Sequence, residues 1–198
     1  MSARAIAQTV SQVYIGGPAG NSPKDIYVNP RNSPVYIGPI PTPKSSADLP
    51  EVRAFLDTIA WAETGTIHPK SYKSLVFKGN FRKFSTHPKI QQCARIKGRR
   101  VCSNAAGRYQ IMAFNWAKLA PKLRLKDFSP KSQDKIALYL IQQTGAMPDV
   151  LAGKFEQAAC KVSRIWAGFP CNSYGQRRLT MAQLKNFYYK RLKVYRGK

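Results

Sequence analysis

No apolar run in this chain approaches the roughly 18–20 residues that a membrane-spanning helix needs. The longest candidate is a stretch such as Ile136-Ala137-Leu138-Tyr139-Leu140-Ile141, so no membrane span is expected. The opening Met1-Ser2-Ala3-Arg4-Ala5-Ile6-Ala7-Gln8 lacks a sustained apolar region, and no secretory signal is read there. Histidine is limited to His68 and His87, and neither these nor the four cysteines have the close C-x-x-C or H-x-x-x-H spacing of a zinc site. No metal and no cofactor are expected. There is no helix-turn-helix signature, no zinc-finger spacing and no RNA-recognition motif, so no specific nucleic-acid partner is expected. Acidic residues are scarce as well: nine Asp and Glu stand against 33 Lys and Arg, a formal net charge of +24.

What is present suffices for a folded domain. Hydrophobic residues make up 43% and aromatics 11% of the 198 residues, which excludes wholesale disorder. The basic excess points to a polyanion, either a nucleic-acid backbone or an anionic cell envelope, and charge alone does not choose between them. Charge and proline are unevenly spread. Residues 1–50 carry a net +2 and eight of the fourteen prolines, while the remaining 148 residues carry +22. The shift places residues 1–48 in an extended Pro-rich arm and linker, and residues 49–198 in the main domain. Within the arm, Val13-Tyr14-Ile15, Ile26-Tyr27-Val28 and Val35-Tyr36-Ile37 repeat an aromatic-centred triplet beside Pro, Gly and Asn. Such triplets are too short for a sheet of their own. Two readings stand, a flexible tether and a docking arm whose triplets add as strands to a partner. Docking through residues 1–44 is the expectation taken forward.

Cys93 and Cys102 flank a hairpin pattern turning at Lys97-Gly98, which sets them opposite each other at about 4.5 Å between α-carbons. Cys160 falls on an expected helix and Cys171 in the loop after it. Two local disulfides, Cys93–Cys102 and Cys160–Cys171, are expected, with four buried thiols as the alternative. Disulfides would imply an oxidising setting such as a periplasm or a virion.

Asp48-Leu49-Pro50-Glu51 reads as a capped helix start, and Val52, Phe55, Leu56 and Ile59 follow at helical spacing. Eleven residues on from Val52, the same stripe reaches Glu63. A glutamate there is out of pattern, and both burial and the negative end of the helix would raise its proton affinity. A carboxylic acid of that kind can protonate a leaving group in glycoside cleavage; the alternative is a helix-end glutamate paired with a neighbouring Lys or Arg. Asp57, six residues earlier, is expected on the opposite side, and its replacement by Asn to be far milder for activity than that of Glu63 by Gln. Further helices are expected over Tyr109–Leu119, from Ser129-Pro130 to Gly145, over Phe155–Trp166, and after the Thr180–Gln183 cap. Strand-like runs at Ser74–Phe77 and around the cysteine hairpin lie between the first two helices. The class is α+β, mainly helical with a small antiparallel sheet.

These elements in this order resemble the lysozyme superfamily. Four blocks resemble the bacteriophage lambda endolysin family in particular: Ala54-Phe55-Leu56-Asp57 with Ala60-Trp61-Ala62-Glu63, Ala106-Gly107-Arg108-Tyr109-Gln110, Leu125 to Asp134, and Ile165-Trp166-Ala167 leading to Tyr174-Gly175-Gln176. The resemblance spans residues 51–178 and leaves the arm outside. It implies a peptidoglycan lytic transglycosylase that acts on glycan strands, with Glu63 as the single catalytic acid. Arg108, Tyr109, Gln110, Tyr174 and Gln176 would bind sugar, with Tyr109 and Tyr174 as core aromatics the alternative. It also implies a phage protein acting on the periplasmic cell wall; the docking arm favours carriage in the virion tail, with release as a free endolysin from the host cytoplasm as the alternative. A nucleic-acid-binding protein and a structural tail protein keeping the lysozyme fold are the competing readings. Against the family pattern, Thr64 intervenes between Glu63 and Gly65, and the segment from Ile90 to Ser103 is long.

Overall fold

The apolar period that starts at Val52 becomes helix α1, Pro50–Thr64. In the computed structural model, which describes residues 48–96, 98–172 and 179–197, eleven of its fifteen residues are buried. Burial of that extent makes α1 the central rod of the helical region. The arm before residue 48, Lys97 of the hairpin turn, and Tyr174 and Gln176 lie outside the described residues. Leu49 takes the N-cap position of α1 without a side-chain bond, so the expected Asp48 cap is not formed. Glu51, in the first turn, instead pairs with Arg196 at the far end of the chain.

A 3-10 turn, Pro69–Lys73, follows, then strands β1, Gln92–Ile96, and β2, Arg99–Ser103. These pair antiparallel with Cys93 opposite Cys102. The run Ser74–Phe77 is not a strand; it contributes single bridges, Ser74 to Asn80 and Leu75 to Ala106. Helices α2, Ala113–Lys122, α3, Pro130–Gln143, α4, Met147–Leu151, α5, Phe155–Val162, and α6, Met181–Tyr195, complete the order. Ser129 caps α3 through the Ser132 amide, and Thr180 and Gln183 form a reciprocal capping box on α6. The expected helix over Tyr109–Leu119 begins only at Ala113, and the one expected to reach Trp166 stops at Val162. Both apolar periods continue past a helix end into loops that are themselves buried. No helix among the described residues is long and apolar enough to cross a membrane.

Two separate apolar clusters result. The larger joins all six helices, with Phe55 of α1 meeting Phe155 edge-on at 5.9 Å and Tyr188 of α6 at 6.3 Å. Fully burying one such ring contributes about 1.5–3 kcal/mol. The smaller comprises Val76, Phe77 and Ala105, against which Ala94, Ile96 and Val101 of the hairpin pack with Met112. Both cysteine pairs are bonded, with α-carbons 4.0 Å apart at Cys93–Cys102 and 5.0 Å at Cys160–Cys171.

His87 belongs to the buried frame. Its Nδ1 accepts the Lys89 amide at 3.0 Å, so Nε2 carries the hydrogen and donates to the Ile111 carbonyl at 2.8 Å. Among the described residues no group of three or more His, Cys, Asp or Glu is placed to hold a metal. Burial lowers the His87 pKa below its ordinary 6.5. The unfolded chain therefore takes up this proton first as pH falls. Stability from His87 is complete above about pH 6.5 and declines as pH drops toward the folded-state value. Urea unfolding midpoints are expected to fall between about pH 7.5 and about pH 5.5, and the fall should shrink in His87→Gln.

Candidate active site

Glu63 stands one residue before the end of α1, where Gly65 (φ 73°) turns the chain and returns its amide to the Trp61 carbonyl. The Glu63 side chain is 0% exposed. A carboxylate at this position faces the segment that follows α5. A Cβ on Gly168 would lie 3.2 Å from Glu63 Oε1 and 3.3 Å from the Ala62 carbonyl. The absence of a side chain at Gly168 lets that loop lie directly on the carboxyl group. Thr64, the residue intervening before Gly65, is absorbed by the helix end, its hydroxyl 2.7 Å from the Ala60 carbonyl and 2.9 Å from that of Thr66.

The Ala106–Gln110 block forms a tight loop closed by the Ala106–Ile111 bridge. Gly107 has φ 79°, and a Cβ there would meet Gln133 Oε1 at 2.2 Å, so glycine is required twice over. Gln133 fixes the loop: its Oε1 accepts the Arg108 amide at 2.9 Å, while its Nε2 donates to the Tyr72 and Phe128 carbonyls.

Arg108 is turned into the domain. It is 5% exposed, and its guanidinium donates to Asp57 Oδ1 at 2.6 Å and to Ser71 Oγ and the Ile67 carbonyl, each at 2.9 Å. Burial works against its charge, but the nearby Tyr109 and Tyr72 hydroxyls and the Asp57 and Asp134 carboxylates outweigh that and raise its pKa. Tyr109 is a core aromatic, 1% exposed, with its hydroxyl donated to Asp134 Oδ1 at 2.7 Å beside that of Tyr72. Burial pushes the Asp134 carboxyl above its ordinary value, although both phenols and Arg108 pull the other way. Asp57 lies buried at the centre of this lattice and also accepts from Arg191 and Tyr195 of α6.

Gln110 is differently placed. Its backbone is left-handed (φ 48°), its Nε2 donates to the Gly107 carbonyl, and its buried Oε1 has no hydrogen-bond partner among the described residues. It lines a small cavity with Tyr109, Met112, Asn115, Ile165 and Trp166. Trp166 closes that cavity by donating its indole N–H to the Tyr109 carbonyl at 3.0 Å. Glu63 does not line it; Gly168, two residues past Trp166, connects the two. Sequence reading passed over Gly168, Asp134 and the role of Asp57. Gly168 and Asp134 lie within or beside the quoted blocks, yet their partners are remote in the chain.

The comparisons with known proteins agree with this arrangement. A family model described as Endolysin matches residues 53–194. The endolysin of Escherichia phage lambda is 39% identical over 130 residues, covering 63% of this chain and 80% of its own. The endolysin of Escherichia phage P2 is 37% identical over 144 residues, covering 67% and 87%. A solved structure of bacteriophage lambda lysozyme complexed with a chitohexasaccharide superposes with a TM-score of 0.66 at 33% identity, over 72% of this chain and 94% of that one. With the lysozyme-like layout, the glutamate closing the first helix and a match over most of its length, this chain belongs to the endolysin family.

Proposed function

We propose that this chain cleaves the β-1,4 bond between N-acetylmuramic acid and N-acetylglucosamine in peptidoglycan, as a lytic transglycosylase with Glu63 as its one acid–base group. The observation that carries the reading is the placement of Glu63, buried at the end of α1 with Gly168 directly against its carboxyl group. Of the seven acids in residues 49–198, Glu51, Asp149 and Glu156 hold Arg196, Lys161 and Lys185 in ion pairs. Asp127 serves Ser129 and Ser132 at the start of α3, and Asp57 and Asp134 are engaged in the buried lattice. Hydrolysis with inversion would need a second carboxylate to activate water. In the proposed cycle Glu63 gives its proton to the glycosidic oxygen as the C1–O bond breaks. The resulting carboxylate takes the proton of the muramic acid C6 hydroxyl as that oxygen bonds to C1. The acid is regenerated, no water is consumed, and no cofactor enters.

Mass spectrometry of released muropeptides tests this directly. Anhydro-muramic ends are expected; reducing ends would establish hydrolysis instead. Gly168→Ala is expected to lower kcat on peptidoglycan roughly 10-fold, because the added methyl crowds the Glu63 carboxyl group. We further propose that residues 1–48 are a docking arm and 49–198 the catalytic domain, in a virion-associated protein that works on the cell wall. Deleting residues 1–44 should spare activity on isolated peptidoglycan and abolish incorporation into particles.

A further inference from the structure

The hairpin carries charge that the cleavage chemistry leaves unused. Its register sets Arg95 directly opposite Arg100, with Arg99 opposite Ile96. All three arginines are exposed, and none enters an ion pair among the described residues. Like charges facing one another across a strand pair oppose the pairing, and a lone two-stranded hairpin is marginal even without that burden. Two features hold it closed. The Cys93–Cys102 disulfide is the neighbouring pair on the same outer face, since side chains alternate along a strand. On the inner face Ala94, Ile96 and Val101 pack against Val76, Phe77, Ala105 and Met112. Ala105 and Met112 also line the cavity beside Gln110. The staple thus maintains Arg95 and Arg100 side by side against their own repulsion, with Arg99 exposed beside Ile96 on the other face, on a hairpin whose underlying residues also line the cavity beside Gln110.

We propose that Arg95, Arg99 and Arg100 bind the carboxylates of the stem peptides carried by the glycan strand, making the hairpin a substrate-specificity element. This rests on the peptidoglycan reading above. The sugar backbone offers hydroxyl and acetamido groups, none of which calls for three guanidinium groups. Each muramic acid, in contrast, bears a peptide rich in free carboxylates, which planar guanidinium forks match in a bidentate manner. Several weak contacts at an exposed hairpin favour retention of the correct strand and contribute to KM, not to bond breaking.

The test compares intact peptidoglycan with the same glycan after an amidase has removed its stem peptides. The unmodified chain is expected to show a KM roughly 10-fold lower on the intact polymer. The Arg95→Gln/Arg100→Gln variant should lose that preference, with kcat and the KM for stripped glycan unchanged. Raised ionic strength should erase the preference in the unmodified chain. Non-reducing peptide mapping of the variant, showing Cys93 still bonded to Cys102, establishes that the hairpin has closed; Arg99→Gln alone should give a smaller shift in the same direction. Equal KM on both substrates overturns the proposal while leaving glycan cleavage intact. So does a variant that keeps the preference but loses binding to DNA or lipopolysaccharide, which would assign these arginines to phosphate polymers. If the unmodified chain releases no product from either substrate, the peptidoglycan reading fails and the hairpin proposal with it.

Discussion

Replacing Glu63 by glutamine is expected to lower peptidoglycan turnover by more than about 10⁴-fold, the upper end for a single acid–base group. The large effect follows from the double use proposed for it: one carboxyl would protonate the leaving oxygen and then accept the C6 hydroxyl proton, so the amide would disable both steps. Glutamine keeps the volume of the side chain in a site where Gly168 already sits against the carboxyl group, and the thermal transition should move little. Glu63→Asp retains the acid but withdraws it by one methylene, and an intermediate loss is expected. Measured as product released per enzyme per minute, an activity within tenfold of the unmodified chain in Glu63→Gln would assign the proton transfers to another group.

Asp57→Asn is expected to lose about 3–5 kcal/mol of stability, as when one member of a buried ion pair is removed. Three donors converge on this carboxylate: Arg108 Nη2 at 2.6 Å, Arg191 Nε at 2.7 Å and the Tyr195 hydroxyl at 2.6 Å. An amide in its place offers a single acceptor and turns its own N–H groups toward a guanidinium. Arg108, being buried, is then left with an uncompensated charge. Domains of this size are stable by about 5–15 kcal/mol in all, so the fold should survive at low temperature and fail on modest warming. Urea unfolding followed by circular dichroism measures the loss. Combining Asp57→Asn with Arg108→Met should cost less than the two changes added separately, because the second removes the charge stranded by the first.

That lattice also marks the boundary of what the sequence can disclose. Val52, Phe55 and Ile59 announce α1 because helical period is local, and Glu63 is found by extending the same period. Thr180 and Gln183 form their capping box within four residues of each other, and the cysteine pairs close over separations of 9 and 11. Asp57 is another matter, since its partners are 51, 134 and 138 residues away, and nothing in the Ala54–Asp57 block distinguishes a surface acid from a buried one. The misplaced start of α2 has the same origin. Tyr109, Met112 and Trp116 have helical spacing, but Gln133 holds the Arg108 amide from 25 residues off and closes a loop where the pattern implies a turn of helix. The short α4 and the 3-10 turn are shorter than any window in which a period can be counted.

The smaller cluster under the hairpin has a consequence for how stability is distributed through the molecule. Val76, Phe77 and Ala105 form a patch separate from the helical interior, so the β1–β2 ladder draws its free energy from a few residues, while α1 draws on the larger interior. Opening the hairpin lobe leaves the helical interior closed, and its amides can exchange with solvent through a subglobal event well below the free energy of complete unfolding. The Cys93–Cys102 bond caps the extent of that opening, because even a melted ladder stays joined across a nine-residue span. The hairpin lobe and the helical interior are therefore expected to open as two units of unequal depth, with Glu63 rooted in the deeper one.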